Sequence, residues 1–222
     1  MKDCEIPDLN LFMACPALRR EALAPMPQGF YLRSLRRDEW ALWKAMPFDE
    51  PGLARAYDEY MTDYFNRTYR AQEALFYERC QVICDASDQP VGTGFTWLQY
   101  GRYWTLHWIK VLKGYEGIGL GRGLLSALLD QLQPQDFPVF LHTQPSSYRA
   151  IKLYSDLGFS FLDMPVIDGR ENGLASSIPV LKSMMPEAAY HRLSVMGYDV
   201  SSGRFSPRRP LDTVPEMLKE PR

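Results

Sequence analysis

The chain is poor in the residues that metal and redox chemistry draw on, with three histidines and four cysteines among 222 residues. Cys80 and Cys84 lie four apart on a strand-like run, and no second Cys or His pair stands nearby. Burial is therefore expected there rather than zinc. Together with Cys4 and Cys15 they make no disulfide framework in a chain of this length and read as reduced packing residues; no metal is expected. Long apolar runs are also missing, and Met1-Lys2-Asp3-Cys4-Glu5 lacks a basic segment followed by a signal core. A cytoplasmic protein with no membrane partner is expected. A formal net charge of −2 supplies no basic field, which argues against nucleic acid as a partner. No Gly-x-Ser-x-Gly elbow, no Gly-Lys-Ser/Thr and no internal repeat occur, so a Ser-His-Asp hydrolase and a nucleotide P-loop are both disfavoured.

What the chain does hold is 46% hydrophobic residues, enough for one large domain, and one conspicuous glycine turn. In Val111-Leu112-Lys113-Gly114-Tyr115-Glu116-Gly117-Ile118-Gly119-Leu120-Gly121-Arg122-Gly123-Leu124, an apolar strand ends and a helix, 120–132, is expected to begin. Glycines at 117, 119 and 121 remove Cβ atoms and permit the positive φ of a tight turn. Bare amides and the positive end of the helix dipole then favour a phosphate or pyrophosphate. The dinucleotide spacing G-x-G-x-x-G is approached only by Gly114-x-x-Gly117 and Gly119-x-Gly121, so a Rossmann reading is weak.

A second signature follows in 139–159, where Val139-Phe140-Leu141-His142-Thr143 reads as a strand and the next helix carries Ala150, Leu153 and Tyr154 before stopping at Gly158-Phe159. Ser146 or Ser147 is placed to cap that helix and Gly158 to end it in a left-handed turn. The two stretches, in this order, resemble the GNAT superfamily of N-acetyltransferases. Val111, Tyr115, Gly117, Gly119, Leu120, Gly121 and Leu124 fit its acetyl-CoA loop; Lys113 departs where Pro is common, and Glu116 where Arg or Gln is usual. A carboxylate roughly 5 Å from a pyrophosphate costs on the order of 1 kcal/mol in water-like dielectric, which is tolerable beside Arg122.

The resemblance implies an α/β fold with a mixed, mostly antiparallel sheet flanked by helices on both faces. It implies acetyl-CoA as co-substrate, in an opening between the two central strands, held through Ile109, Lys110, Val111, Glu116, Gly117, Ile118, Gly119, Leu120, Gly121 and Arg122. Amides near Ile109 to Val111 would align the acetyl group, and Tyr154 would protonate the departing thiolate. The implied activity is direct acetyl transfer, in a ternary complex, to the primary amine of a small molecule or peptide. A catalytically silent CoA-binding or regulatory module is the alternative, with Glu116 as its only hint. A general base is not evident. His107 and His142 lie on strands that approach the gap, yet each reads better as a hydrogen-bonded core residue, and His191 as a surface one.

Three parts are expected along the chain: an N-terminal arm over 1–28, which carries four prolines; a GNAT-like domain over 29–185; and a C-terminal extension over 186–222. Phe30 to Leu35 should form the first strand, Asp38 to Trp43 should open a helix, and 53–69 should form a second with Tyr57, Tyr60, Met61 and Tyr64 at core spacing. A hairpin (81–84, 91–98) and a strand over 103–111 should follow as antiparallel neighbours. Two closing strands are expected at 159–162 and 178–181 with a loop over 168–173 between them, then a helix over 187–195 and an extended tail. Asp49, Glu50, Asp58, Glu59 and Asp63 form the densest acidic group, read as a solvated face or as a surface for an amine. A homodimer is left open.

Overall fold

The computed structural model describes residues 6–214. In chain order its elements are β1 (Leu11–Cys15), β2 (Phe30–Ser34), α1 (Trp40–Ala45), α2 (Pro51–Ala56), α3 (Asp58–Thr68), α4 (Glu73–Arg79), β3 (Gln81–Asp85), β4 (Pro90–Gln99), β5 (Tyr103–Val111), α5 (Leu120–Asp130) and β6 (Val139–Thr143). There follow α6 (Tyr148–Leu157), β7 (Ser160–Leu162), β8 (Val166–Ile167), β9 (Arg170–Glu171), α7 (Leu174–Met184), α8 (Glu187–Tyr190), β10 (Ser194–Met196), β11 (Tyr198–Asp199), β12 (Arg204–Phe205) and β13 (Arg209–Pro210). The fold is α/β, with mixed, mostly antiparallel strands and flanking helices. Two compact units make it up: Leu23–Gln133, and the described residues up to Ala22 together with those from Pro134 onward. Among the described residues no helix is long and apolar enough to cross a membrane.

In the unit Leu23–Gln133, β2, β3, β4 and β5 pair antiparallel in sequence order, as short connections dictate. Helices α1 to α4 fill the connection between β2 and β3. Their core is aromatic: Trp43, Phe65, Tyr69, Phe76, Phe95 and Trp97 are buried together. Trp43 meets Phe76 and Phe65 edge to face, at 5.0 and 6.4 Å between ring centres, the arrangement that ring quadrupoles favour. The helix expected over 53–69 is two helices, broken at Tyr57 where ψ turns to 6°. Met61, Phe65 and Tyr69 bury one face at four-residue spacing, while Tyr57 and Tyr60 of the expected core stripe stay nearly half exposed.

In the other unit the strand order is β13-β10-β7-β1-β6, with β10 parallel to β7 and the remaining pairs antiparallel. The expected N-terminal arm therefore contains a fully buried strand, Leu11-Phe12-Met13-Ala14-Cys15, in register from Leu11↔Thr143 to Cys15↔Val139. A strand covered on both faces shows a continuous apolar run rather than alternation, which leaves no period to recognise. The segment 178–181, expected as a strand, lies inside α7, where Leu174, Ala175, Ser177 and Leu181 turn inward at helical spacing and Pro179 is accommodated. Burial overrides the β preference of Ile178 and Val180. The 168–173 stretch is the turn and second strand of the β8–β9 hairpin. The helix expected over 187–195 is a single turn, α8, followed by β10, and the C-terminal stretch supplies β13 to the same sheet.

Gly158 ends α6 with φ 111°, and a Cβ there would stand 2.7 Å from the Ala17 carbonyl oxygen. Ser147 occupies the other end, but its side chain makes no capping hydrogen bond. The last carbonyls of α6 are taken by the Arg19 amide to Leu157 (3.0 Å) and the Arg208 guanidinium to Gly158 (2.7 Å). Gly158→Ala is expected to cost about 2 kcal/mol, since it combines left-handed strain with backbone overlap. Denaturant titration checks this, and an unchanged midpoint would show that the turn relaxes freely.

Candidate functional site

The glycine turn lies wholly within the unit Leu23–Gln133. β5 ends at Val111, a 3₁₀ turn spans Lys113–Tyr115, and α5 starts at Leu120. Gly117 and Gly119 adopt φ 83° and 96°, the left-handed region, and Gly119 is the residue that caps α5. Gly121 is different: it sits in the first helical turn and needs no positive φ. Residues 116–119 are exposed, and Leu120 turns inward to anchor the helix with Leu124, Leu125, Leu128 and Leu129. Intrahelical bonding starts only with the Gly123 amide, which donates to the Gly119 carbonyl at 3.0 Å. Among the described residues, no carbonyl accepts from the amides of Gly117, Ile118, Gly119, Leu120 or Gly121. Five amides are thus left without a carbonyl at the positive end of a three-turn helix, three of them on the exposed residues Gly117, Ile118 and Gly119, which is the chemistry an oxyanion of pyrophosphate matches. Glu116 and Arg122 flank this turn.

The strand leading in is irregular. Phe95 opposes His107 and Thr93 opposes Lys110, so Gly94 alone faces Trp108 and Ile109: a β-bulge. Trp108 has φ 52°, a left-handed backbone that is uncommon for a bulky residue and costs on the order of 1 kcal/mol. The bulge immediately precedes Ile109, Lys110 and Val111. Lys110 is tied to Asp49 (Nζ–Oδ1 2.8 Å), and Tyr115 packs edge to face on Phe30 at 6.1 Å. Asp58 is likewise paired, with Lys44 at 2.6 Å. Two of the five acidic residues noted from the sequence are therefore already neutralised, which leaves Glu50, Glu59 and Asp63 to set the charge of that surface.

His107 is hydrogen-bonded at both nitrogens, Nδ1 to the Tyr69 hydroxyl (2.5 Å) and Nε2 to Thr105 Oγ1 (2.7 Å), and burial pulls its pKa down to about 4. It is a neutral, satisfied residue and a weak base. His142 Nε2 meets Asn10 Oδ1 at 2.9 Å, at the surface, and His191 is exposed beside Glu187. Cys15, Cys80 and Cys84 are buried free thiols, and burial raises Cys80 to about 12, which leaves no thiolate at neutral pH.

Tyr154 lies in the other unit, on α6, three residues before the helix ends. It is 5% exposed, its ring stands 5.8 Å from Phe159, and burial pushes its phenol well above the ordinary tyrosine range. Among the described residues none is hydrogen-bonded to its hydroxyl.

Comparison with known proteins sets these features in context. The pattern of the Acetyltransferase (GNAT) family matches residues 38–159, which takes in the bulge, the glycine turn and Tyr154. Over 82 residues the chain is 35% identical to a [ribosomal protein bS18]-alanine N-acetyltransferase of Escherichia coli K12, and equally to that of Shigella flexneri. Each alignment takes in 34% of this chain and 55% of the relative, so the chain spans about half the length of the curated relatives it matches. A solved tandem GNAT protein from the clavulanic acid biosynthesis pathway shares the fold, at 17% identity and a TM-score of 0.50, over 70% of this chain and 50% of its own.

Proposed function

We propose, from the premise that this chain belongs to the Acetyltransferase (GNAT) family, that it transfers an acetyl group from acetyl-CoA to a primary amine. The family generally uses acetyl-CoA, and the observation that supports this use here is the turn 117–121, exposed over 117–119, whose amides have no carbonyl partner at the start of α5. Those amides would hold the pyrophosphate, with Arg122 beside them. Ile109, Lys110 and Val111, beyond the bulge, would align the acetyl carbonyl. The neutral amine attacks that carbonyl carbon, a C–N bond forms as the C–S bond breaks, and the leaving thiolate takes a proton from the Tyr154 phenol. The ammonium proton of the new amide goes to solvent or to a base, and a proton from solvent restores the Tyr154 phenol; His107, with both nitrogens occupied, is a poor candidate for the base.

The test is thiol release from acetyl-CoA with a panel of amines. The panel should include alanine-initiated peptides, because the bacterial relatives are named for a ribosomal-protein alanine. CoA binding without turnover of any amine would favour the silent-module reading.

The remaining charge of the α2–α3 surface points to an acceptor carrying positive charge near its amine. Neutralising Glu59 and Asp63 together is expected to raise the acceptor KM about three- to tenfold at low salt and by less at high salt, because exposed charges are screened. Preferred acceptors that are anionic, or an unmoved KM, would reduce these residues to a solvated face.

A further inference from the structure

Trp108 holds a backbone conformation that its own side chain disfavours, and a specific partner holds the indole. The Trp108 Nε1–H donates to the Tyr69 hydroxyl oxygen at 3.1 Å. That hydroxyl has its own proton committed. Thr105 Oγ1 donates to the Trp97 carbonyl (3.0 Å), so His107 Nε2–H donates to Thr105, and Nδ1 is left to accept from Tyr69. The line of donors runs in one direction, from the Trp108 indole through Tyr69, His107 and Thr105 to the backbone of β4, and the Tyr64 side chain is also hydrogen-bonded to Tyr69. Tyr69 itself is fully buried in the aromatic core and cannot follow the indole if it swings away. The indole is gripped on its faces as well, edge to face with Tyr64 at 5.2 Å and with Trp43 at 5.9 Å.

We propose that Tyr69 is a positioning residue for acetyl transfer: through the Trp108 indole it holds the β5 bulge in its left-handed form, and the bulge sets the direction of the Ile109–Val111 amides. The proposal rests on the reading above, in which those amides align the acetyl carbonyl while the 117–121 turn binds CoA. It separates two contributions that the sequence places side by side. The turn is built by its own glycines and is indifferent to Tyr69. The bulge, which uses a tryptophan where left-handed backbone favours glycine, depends on a hydroxyl some forty residues earlier in the chain.

The experiment compares wild type with Tyr69→Phe and Trp108→Phe by amide NMR, adding CoA or acetyl-CoA. Wild type should show CoA-induced shifts at 117–121 and a further difference between acetyl-CoA and CoA at 109–111. Tyr69→Phe, which keeps the ring and deletes the acceptor, should retain the first set and lose the second. Kinetically, kcat should fall about tenfold while the CoA Kd moves by less than about twofold, the split expected when only the aligned state is lost. A merely structural role would shift both sets together. Should Tyr69→Phe not fold, Trp108→Phe removes the donor and leaves the Tyr69–His107 bond in place, with the same outcome expected. Retained acetyl-dependent shifts and unchanged kcat in the variants would overturn the inference and leave the reading standing. A wild-type protein with no CoA-induced shift at 117–121 would overturn both.

Discussion

Gly119→Leu is expected to abolish measurable CoA binding, a loss of at least about 100-fold, in a protein that still folds. Two effects combine. A side chain at 119 stands over the exposed turn and fills the space through which a phosphate oxygen must approach the amides of 117–121. The backbone at φ 96° also becomes strained, by roughly 1–2 kcal/mol, and a turn that relaxes toward negative φ swings its donors out of line. The fold itself should tolerate the change: a Cβ at 119 meets only Pro27 Cγ, at 3.4 Å, and the buried face of α5 begins one residue later. Titration calorimetry with CoA reads the affinity, and thermal unfolding reads the stability. An affinity within about threefold of wild type would remove the pyrophosphate from this turn, and with it the main support for acetyl-CoA as co-substrate.

Tyr154→Phe is expected to lower kcat by a factor on the order of 10² and to leave acetyl-CoA affinity nearly intact. The ring and its packing on Phe159 survive the change; only the proton is deleted. A phenol near its ordinary pKa of about 10 gives its proton to a thiolate near 8.5 against a gradient of roughly 2 kcal/mol. Burial steepens that gradient by pushing the phenol higher, so the transfer depends on a hydrogen bond that strengthens as charge develops on sulfur. The sign of the shift also constrains the pH profile. A raised phenol stays protonated through neutral and mildly basic solution, so Tyr154 should contribute no falling limb below about pH 10, and any limb seen there belongs to the amine or to another group. Wild-type kcat in the variant, measured where chemistry limits the rate, would assign the acid role to water or a different residue.

The parts of the molecule that were legible in the sequence are those whose signal is local. Gly117 and Gly119 announce a left-handed turn because no other residue adopts it freely, and Gly158 announces the end of α6 for the same reason. The β3–β4–β5 meander follows from short connections between alternating runs. What stayed hidden is set by tertiary contact. Leu11–Cys15 resembles the start of any proline-rich arm until β6 and β7 cover it on both sides. Ile178-Pro179-Val180 has strand composition and a helix breaker, yet α7 forms because its inward face is buried. The bulge at Trp108 leaves a mark only on the opposing strand, at Gly94: tryptophan itself is a poor residue for φ 52°, and the partner that stabilises it, Tyr69, lies on the far side of α4 and two strands in the chain.

The placement of β1 between β6 and β7 also sets a timetable for synthesis. Leu11 pairs with Thr143, and Met13 with Phe161, so β1 has no partner until some 130 to 150 further residues have left the ribosome. At roughly 5–20 residues per second that is an interval of about 7–30 s. During it Leu11-Phe12-Met13-Ala14-Cys15 is a five-residue apolar segment with both strand edges open, the kind of surface that seeks any available neighbour. The unit Leu23–Gln133, whose strands pair in sequence order, emerges complete in the meantime. The unit that holds β1, β6 and β7 is therefore expected to complete its pairing after Leu23–Gln133 has done so.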